Sequence, residues 1–256
     1  MATYGTALVT GASSGIGRAF AVALAEQGTS VIAVARRRDR LEDLAREVSG
    51  VEVLAADLTD PSQLTTVEER LADGARPVDL LVNCAGFGTQ GRFAELPVDV
   101  EDSEVRLNVL ALVRLTRAAL PGMVARGHGA VINVSSVAGH QPIPLWATYS
   151  ASKAFVTTFS RAVAAELRGS GVRVLALLPG FTYTEFHERS GFERGLVPGP
   201  AWMTAQAVAE TALRDLERGR VHSFPGLHNR AVAAASRLSP WAVTRRVLKV
   251  ATRHMW

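Results

Sequence analysis

Short apolar runs alternate with amphipathic segments along most of the chain. In the segment 38–48, Leu41, Leu44, Ala45 and Val48 recur at the spacing of one helix face. The apolar runs that precede such segments are uninterrupted, as in residues 30–35. Uninterrupted strands between helices are typical of a parallel sheet that is buried on both faces.

This pattern predicts a series of strands and helices. The strands are expected at residues 6–10, 30–35, 51–55, 78–83, 130–135 and 172–178, with a last short one at 221–224. The helices are expected at 18–27, 38–48, from Asp60 and Pro61 onward, and at 102–125, 149–168 and 204–218. Pro121 is expected to end or bend the long fourth helix. We predict a single Rossmann-type, doubly wound α/β domain over residues 1–224, followed by a helical extension over 225–256.

Composition narrows the class of protein. Charged residues make up 20% of the 256 and apolar residues 48%, a balance that excludes a disordered chain. The single cysteine, Cys84, excludes an internal disulfide and a multi-cysteine metal site, and no metal is expected. The apolar runs are too short for a membrane span and residues 1–6 lack the features of a secretion signal. These features predict a cytoplasmic protein.

Basic residues are concentrated at the C-terminal end. The chain has 28 basic and 24 acidic residues, and residues 221–256 contain six basic and no acidic ones. Helices are predicted there at 229–238 and 240–253, the second with a basic and an apolar face. Such a helix suits docking on the domain or on a partner subunit, which we favour, or contact with an anionic membrane. Nucleic acid is not expected as a partner, because no binding signature accompanies the charge.

The first predicted strand runs into a glycine-rich turn that opens a helix. Glycine lets the backbone approach a pyrophosphate closely, and the free N–H groups of a helix N-terminus bind phosphate oxygens. A strand, a glycine turn and a helix in this order indicate a dinucleotide site. Its predicted residues are Gly11, Ser13, Ser14, Gly15, Ile16 and Gly17.

The end of the second strand favours NADP(H) over NAD(H). An acidic residue there would bond the ribose 2′-hydroxyl and repel a 2′-phosphate. The strand instead ends at Ala35 and is followed by Arg36, Arg37 and Arg38. Arginine holds phosphate by charge-assisted hydrogen bonds. We assign the 2′-phosphate to Arg36, leave the role of Arg37 open and interpret Arg38 as a solvated helix residue.

Tyr149 and Lys153 are four residues apart and share one face of a predicted helix. A free tyrosine has a pKa of about 10, too high for efficient proton transfer at neutral pH, and a neighbouring ammonium lowers it. The fifth strand ends upstream at two serines. A hydroxyl there is suited to donate to a substrate carbonyl oxygen. Ser136 is the preferred donor and Ser135 the competing one.

In order and spacing, these motifs resemble the core, non-extended branch of the short-chain dehydrogenase/reductase family. The resemblance covers about residues 5–224. It rests on Thr10-Gly11-x-x-x-Gly15-x-Gly17, Asn83-Cys84-Ala85-Gly86, Asn108, Ser136, Tyr149-x-x-x-Lys153 and Pro179-Gly180. Cys84 stands where the family often has a second asparagine, and we interpret it as a small buried residue rather than a nucleophile. Residues 135–144, 149–155 and 179–186 resemble a bacterial subgroup of reductases that often has a C-terminal extension.

The resemblance implies roles for particular residues. Tyr149 would be the general acid/base, and Lys153 would lower its pKa and hold the nicotinamide ribose. Ser136 would orient the substrate, and Asn108 would anchor a water in a proton relay. Further cofactor contacts are implied at Asp57, Leu58, Asn83, Ala85, Gly86, Pro179, Gly180, Thr182 and Thr184. Family members usually pair two long helices, so a homodimer or homotetramer is expected.

The segments after the fifth and sixth strands should line the substrate pocket. They contribute Gly139, His140, Gln141, Ile143, Trp146, Phe181, Tyr183, Phe186, His187 and Phe192. This largely apolar set favours a hydrophobic ketone, aldehyde or secondary alcohol, and residues 190–200 are interpreted as a mobile lid. The leading hypothesis is an NADP-dependent carbonyl reductase. The alternative is a catalytically idle NADP-binding redox sensor, which would not need the intact set of catalytic residues.

Overall fold

A parallel β-sheet lies at the centre of the computed structural model, which describes residues 4–186, 190, 197–226 and 229. Its strands are β1 (Thr6–Thr10), β2 (Ser30–Ala35), β3 (Val51–Ala55), β4 (Leu80–Asn83), β5 (Gly129–Val134), β6 (Val172–Leu177) and β9 (His222–Ser223). They lie in the order β3-β2-β1-β4-β5-β6-β9, and each neighbouring pair is parallel. The predicted doubly wound sheet is therefore confirmed.

Helices cover both faces of this sheet. They are α1 (Gly15–Glu26), α2 (Arg38–Glu47), α3 (Pro61–Ala72), α4 (Val98–Val105), α5 (Leu112–Arg126), α6 (Ala147–Glu166) and α7 (Ala205–Glu217). In β1, Val9 belongs to the apolar core under α1 and α7, whereas Leu8 belongs to the core under α3 and α5. Successive side chains of a strand point to opposite faces, so one buried strand supplies both cores.

Most predicted elements agree with the structure to within a few residues. Helix α1 begins at Gly15, three residues before its predicted start, so the last part of the glycine turn is itself helical. Asp60 caps α3 as the Asp-Pro pair predicts, because its carboxylate accepts from the N–H groups of Ser62 and Gln63. The last strand, β9, spans only two residues.

The long helix predicted at 102–125 needs two corrections. It begins earlier, at Val98, and Pro121 lies inside α5 without ending it. The helix ends at Arg126 and is capped by Gly127, whose φ of 64° is left-handed. Pro121 removes one hydrogen bond, but Leu115 and Met123 on either side of it are buried in the core and hold the helix in place.

A π-helical turn, Arg106–Ala111, joins α4 to α5. Such a turn inserts one residue into a helix and is frequent at functional sites. By length and composition, the helical run 98–126 is the one in the described part of the chain that would suffice to cross a membrane. In this fold, however, Leu115 and Ala119 of that run pack in the core of the domain.

Two short strands lie beyond the main sheet. They are β7 (Thr182–Tyr183) and β8 (Met203–Thr204), which pair in parallel. The predicted pocket residues His187 and Phe192 and most of the proposed lid lie outside the described residues. The same holds for the predicted tail helices, apart from Asn229.

Candidate active site

The direction of the strand order reverses between the paired strands β1 and β4. Ligands of open α/β sheets bind in the crevice at this point. Thr10, at the end of β1, connects the start of the glycine turn to the loop after β4. Its hydroxyl oxygen accepts from the N–H groups of Cys84 and Ala85, at 2.9 and 3.0 Å, and donates to the carbonyl of Val82 at 3.3 Å. The glycine turn and the loop after β4 therefore have a fixed relative position.

The glycine turn has the backbone that its sequence predicts. Gly11 and Gly15 have left-handed φ angles of 70° and 55°. A Cβ on Gly17 would lie 2.4 Å from the carbonyl oxygen of Gly11, so a side chain there would clash with the turn. Ser14 is the N-cap residue of α1, and no side-chain cap hydrogen bond forms at this helix end among the described residues. The turn thus fits a pyrophosphate, because it offers open backbone N–H groups at the positive end of a helix.

The arginines after β2 take two different positions. Arg37 contacts the glycine turn, with Nε and Nη2 at 3.3 and 3.2 Å from the hydroxyl of Ser13, while Nη1 lies 3.0 Å from Glu185. Arg36 has a side chain that is 62% exposed and lies 3.8 Å from Asp57. The arginine that lies in the crevice is therefore Arg37, whose role the sequence left open. The assigned phosphate ligand, Arg36, lies largely in solvent.

The next residues of the predicted cofactor site are held by local hydrogen bonds. Asp57 accepts from the N–H and hydroxyl of Thr59 at 2.9 and 2.7 Å, and Leu58 is buried. The side chain of Asn83 lies in the core, where it donates to Thr116 at 3.0 Å and to Asn133 at 2.9 Å. A cofactor contact by this side chain is therefore not supported by its placement.

Helix α6 brings Tyr149 and Lys153 together, as their spacing predicts. The ammonium nitrogen of Lys153 lies 5.7 Å from the centre of the Tyr149 ring and donates to the carbonyl of Val134 at 2.9 Å. Ser136 precedes a short 3₁₀ turn and hydrogen-bonds Tyr149. Ser135 instead bonds the carbonyl of Lys153 and the hydroxyl of Thr157, each at 2.7 Å. Of the two candidate serines, Ser136 is thus the one that reaches the tyrosine.

Burial governs the proton affinities of this cluster. It raises the pKa of Tyr149 to about 12, an effect that the hydrogen bond from Ser136 opposes and the charge of Glu104 reinforces. Burial also lowers the pKa of Lys153 to about 8. The thiol of Cys84 and the carboxyl of Glu104 act in the opposite direction, because they favour the ammonium form. Burial also raises the pKa of Cys84 to about 12, which suits a structural residue and not a thiolate nucleophile.

Asn108 lies within the π-helical turn and is almost fully buried. Its amide nitrogen donates to the carbonyl of Phe87 at 2.8 Å, and its oxygen accepts from the N–H of the same residue at 3.2 Å. A Cβ on Gly86 would lie 2.8 Å from the Asn108 oxygen and 3.4 Å from the Lys153 nitrogen. Asn108 therefore holds the loop after β4 directly against the lysine.

The segment Pro179 to Thr184 covers the crevice from the other side. The carbonyl of Pro179 accepts from the N–H of Val137 at 3.1 Å, and the hydroxyl of Thr182 donates to the carbonyl of Gly180 at 3.0 Å. Thr184 reaches the glycine turn, since a Cβ on Gly15 would lie 2.9 Å from its methyl carbon. The predicted cofactor residues after β1 and β6 thus lie on one crevice.

Aromatic side chains surround the phenol of Tyr149. The ring centres of Trp146 and Phe186 lie 5.5 and 5.3 Å from that of Tyr149 and 6.3 Å from each other. Further from Tyr149, Trp202 packs on Phe181 and Tyr183. These rings confirm the apolar character predicted for this side of the crevice, and Trp202 was not among the predicted residues.

Other members of this site were also absent from the prediction. A Cβ on Gly88 would lie 2.7 Å from the ring of Tyr149 and 3.1 Å from that of Trp146, so only glycine fits against both. Leu145 has a left-handed φ of 68°, uncommon for a residue other than glycine, and lies just before α6. Gly88 lies two residues after the Asn-Cys-Ala-Gly motif, and this position could have indicated from the sequence that it belongs to the site. Nothing in the sequence indicates the left-handed conformation of Leu145.

Comparison with known proteins agrees with this geometry. A family model described as short chain dehydrogenase matches residues 5–194. A short chain dehydrogenase of Pseudocercospora fijiensis is 41% identical over 70% of the chain, which spans 60% of that protein's length. A short-chain dehydrogenase from Sphingobium yanoikuyae, solved with NADPH, is 36% identical, with a TM-score of 0.82 over 96% of this chain and 95% of the other. The bulky-bulky ketone specific alcohol dehydrogenase from Comamonas testosteroni is 32% identical, with a TM-score of 0.78 over 92% and 94%.

Proposed function

Because the chain belongs to the short chain dehydrogenase family, we propose that it is an NADP(H)-dependent oxidoreductase that interconverts a hydrophobic ketone or aldehyde and its alcohol. The observation that carries this proposal is the cluster of Ser136, Tyr149 and Lys153 beside a glycine turn with an open helix N-terminus. A dinucleotide-binding sensor would need the turn but not the cluster.

NADP(H) is the cofactor that this crevice fits best. Backbone N–H groups of the glycine turn would hold the pyrophosphate, and Arg36 and Arg37 would hold the 2′-phosphate, since no acidic residue directly follows β2. Lys153 would bond the nicotinamide ribose. The bound NADPH of the Sphingobium yanoikuyae enzyme supports this choice.

When bound, the nicotinamide supplies the hydride that reduces the carbonyl carbon. The protein supplies the proton. Ser136 donates a hydrogen bond to the carbonyl oxygen, which stabilises the charge that develops there. Tyr149 gives its phenolic proton to the resulting alkoxide oxygen, and the ammonium of Lys153 stabilises the phenolate that remains. Asn108 keeps the loop after β4 against Lys153.

The substrate class follows from the rings around Tyr149. Trp146 and Phe186 offer flat apolar surfaces within contact distance of the phenol. They favour a ketone with an aryl or bulky alkyl group over a sugar or a phosphate ester. The similarity to a ketone-specific alcohol dehydrogenase supports the same class.

Measurement of NADPH oxidation with a panel of aryl ketones, bulky aliphatic ketones and small aldehydes tests this function. We expect turnover with the bulky carbonyls and a higher KM for them in Trp146→Ala, with small aldehydes less affected. NADPH binding without turnover of any carbonyl or alcohol in the panel would favour the sensor instead.

We also propose a cytoplasmic homo-oligomer. Apolar side chains exposed on α5 and α6 support assembly through these helices, because Val124 and Phe155 are each 43% exposed and Phe155 stacks on Phe159. Light scattering at several protein concentrations tests this, and a monomer at all of them would contradict it.

A further inference from the structure

Two glutamates of α4 lie buried behind the catalytic cluster. Glu104 is fully buried and Glu101 is 8% exposed. One oxygen of Glu104 accepts from the N–H and the hydroxyl of Thr89, at 2.9 and 2.8 Å. An oxygen of Glu101 lies 2.5 Å from the same hydroxyl, and its other oxygen accepts from the hydroxyl of Thr148.

The geometry of these contacts requires a proton on one of the two carboxyl groups, in addition to the hydroxyl protons of the threonines. The Thr89 hydroxyl has a single hydrogen, yet its oxygen lies within hydrogen-bond distance of two carboxyl oxygens. It donates to one of them and must accept from the other, so one of the two glutamates is protonated. Two buried carboxylates this close would otherwise carry like charges that repel each other at short distance.

These contacts fix both backbone segments that border Tyr149. Thr148 immediately precedes Tyr149 at the start of α6, and its hydroxyl is held by Glu101. Thr89 immediately follows Gly88, the residue whose backbone packs on the Tyr149 ring. The two glutamates thus connect α4 to the loop after β4 and to α6.

The cluster is also electrostatically coupled to the reacting groups. The titratable groups that act on Glu104 in the described chain are Glu101 on its own helix and Lys153 and Tyr149 on α6. Burial raises the pKa of Glu104, and the charge of Glu104 in turn raises the pKa of both Tyr149 and Lys153. The second oxygen of Glu104 is buried and has no hydrogen-bond partner among the described residues.

We propose that Glu101 and Glu104 share one proton through Thr89 and act as positioning residues for Tyr149. The inference rests on the proposed role of Tyr149 as the proton donor. The pair fixes the backbone at Gly88, which packs on the tyrosine ring, and at Thr148, which precedes the tyrosine. The negative charge that the pair retains favours the ammonium of Lys153, which stabilises the phenolate.

Infrared spectroscopy tests the shared proton without any turnover. The wild-type protein at neutral pH should show the C=O stretch of a buried carboxylic acid. That band should vanish in both Glu101→Gln and Glu104→Gln, because either variant leaves a single carboxylate with its donors. Glu101 keeps the hydroxyls of Thr89 and Thr148, and Glu104 keeps the N–H and the hydroxyl of Thr89. Glu95→Gln, a change at an exposed glutamate, should keep it. Absence of the band in wild type would overturn the shared proton, whereas absence of carbonyl reduction in wild type would count against the proposed function.

Kinetics test the positioning role. Glu104→Gln should lower kcat by about 10- to 100-fold with unchanged Kd for NADPH, since the reacting groups lose alignment and not cofactor contacts. In Glu104→Gln the retained negative charge lies on Glu101 and no longer on Glu104, the carboxyl that favours the ammonium of Lys153. The pKa of Lys153 should therefore fall, and the alkaline loss of carbonyl reduction should move to lower pH. If this variant does not fold, Thr89→Val should show the same kcat loss and Thr89→Ser should restore activity. A wild-type pH profile in folded Glu104→Gln, or wild-type kcat in Thr89→Val, would overturn the proposal.

Discussion

The guanidinium of Arg37 bridges Ser13 of the glycine turn and Glu185 beyond β7. It lies 3.0 Å from the Glu185 carboxylate, and the two side chains are 28% and 36% exposed. An anionic group that binds Arg37 must compete with this carboxylate for the same donors. The crevice and the segment that precedes the proposed lid are therefore linked through one arginine.

Glu185→Gln is expected to tighten NADPH binding. The variant removes the carboxylate that competes for Arg37 and repels a 2′-phosphate. Because the ion pair is partly exposed, its loss should change the Kd by about threefold. NADH binding should change little. Fluorescence titration with both nucleotides measures this, with Glu47→Gln, in an exposed pair with Arg18, as the control. Weaker NADPH binding in Glu185→Gln would show that the carboxylate supports the site.

The arginines after β2 should set the cofactor preference. Arg36→Ala should weaken NADPH binding by about tenfold, the loss of one charge-assisted hydrogen bond, with NADH nearly unaffected. Arg37→Ala should cost more, because Arg37 is less exposed and already contacts the glycine turn. Ala35→Asp should shift the preference toward NADH. Equal losses for the two nucleotides in Arg36→Ala would assign that residue a structural role.

Tyr149→Phe should reduce turnover by about 10²- to 10⁴-fold, the usual contribution of a general acid. Its Kd for NADPH should stay close to wild type, because the variant removes a hydroxyl and keeps the ring that packs on Trp146. Lys153→Ala should impair both turnover and NADPH binding. Steady-state kinetics and nucleotide titration separate the two effects, and substantial activity in Tyr149→Phe would refute the assignment of the proton donor.

The pH dependence of carbonyl reduction should follow Lys153. Its pKa lies at about 8, so the ammonium that stabilises the phenolate is present below this pH and lost above it. Tyr149, with a pKa of about 12, stays protonated throughout the neutral range. The value of kcat/KM for reduction should therefore fall as the pH rises above about 8. A profile that stays level until Tyr149 itself ionises would exclude Lys153 as the controlling group.

Truncation after Phe224 should destabilise the protein, as docking of the tail predicts. Asn229 is buried, donates to the carbonyl of Pro225 at 2.6 Å and occupies the space beside Gly180. Its loss would uncover the segment that borders the crevice. Thermal unfolding should show a lower Tm than for the full chain, with Asn229→Ala as a milder variant. Unchanged Tm on truncation, together with binding of the full chain to anionic vesicles, would favour membrane contact.

Local sequence patterns predicted the parts of the site that depend on nearby residues. The glycine turn follows from backbone freedom at Gly11 and Gly15, and the pairing of Tyr149 with Lys153 follows from helical spacing. The role of Asn83 was not predictable in this way, because its partners, Thr116 and Asn133, come from distant parts of the chain.

The same limit explains the other differences. Nothing within the segment 98–108 indicates that Glu101 and Glu104 are buried, since a charged helix face is usually solvated. Their burial depends on Thr89 and Thr148, which the fold brings to them. Pro121 likewise suggested a helix end, and packing in the core outweighed its local effect.

The π-helical turn at Arg106–Ala111 shifts the phase of the long helix. Successive residues of an α-helix are about 100° apart, so one inserted residue rotates everything after it by that angle. Asn108 lies inside this turn, and Glu104 lies before it. The direction in which side chains point is therefore set independently in the two halves of the helix. The loop after β4 sets it before the turn, and the core sets it after the turn. Deletion of one residue from the turn would restore a regular helix, but only one of its two halves could then keep its side chains directed at their present partners.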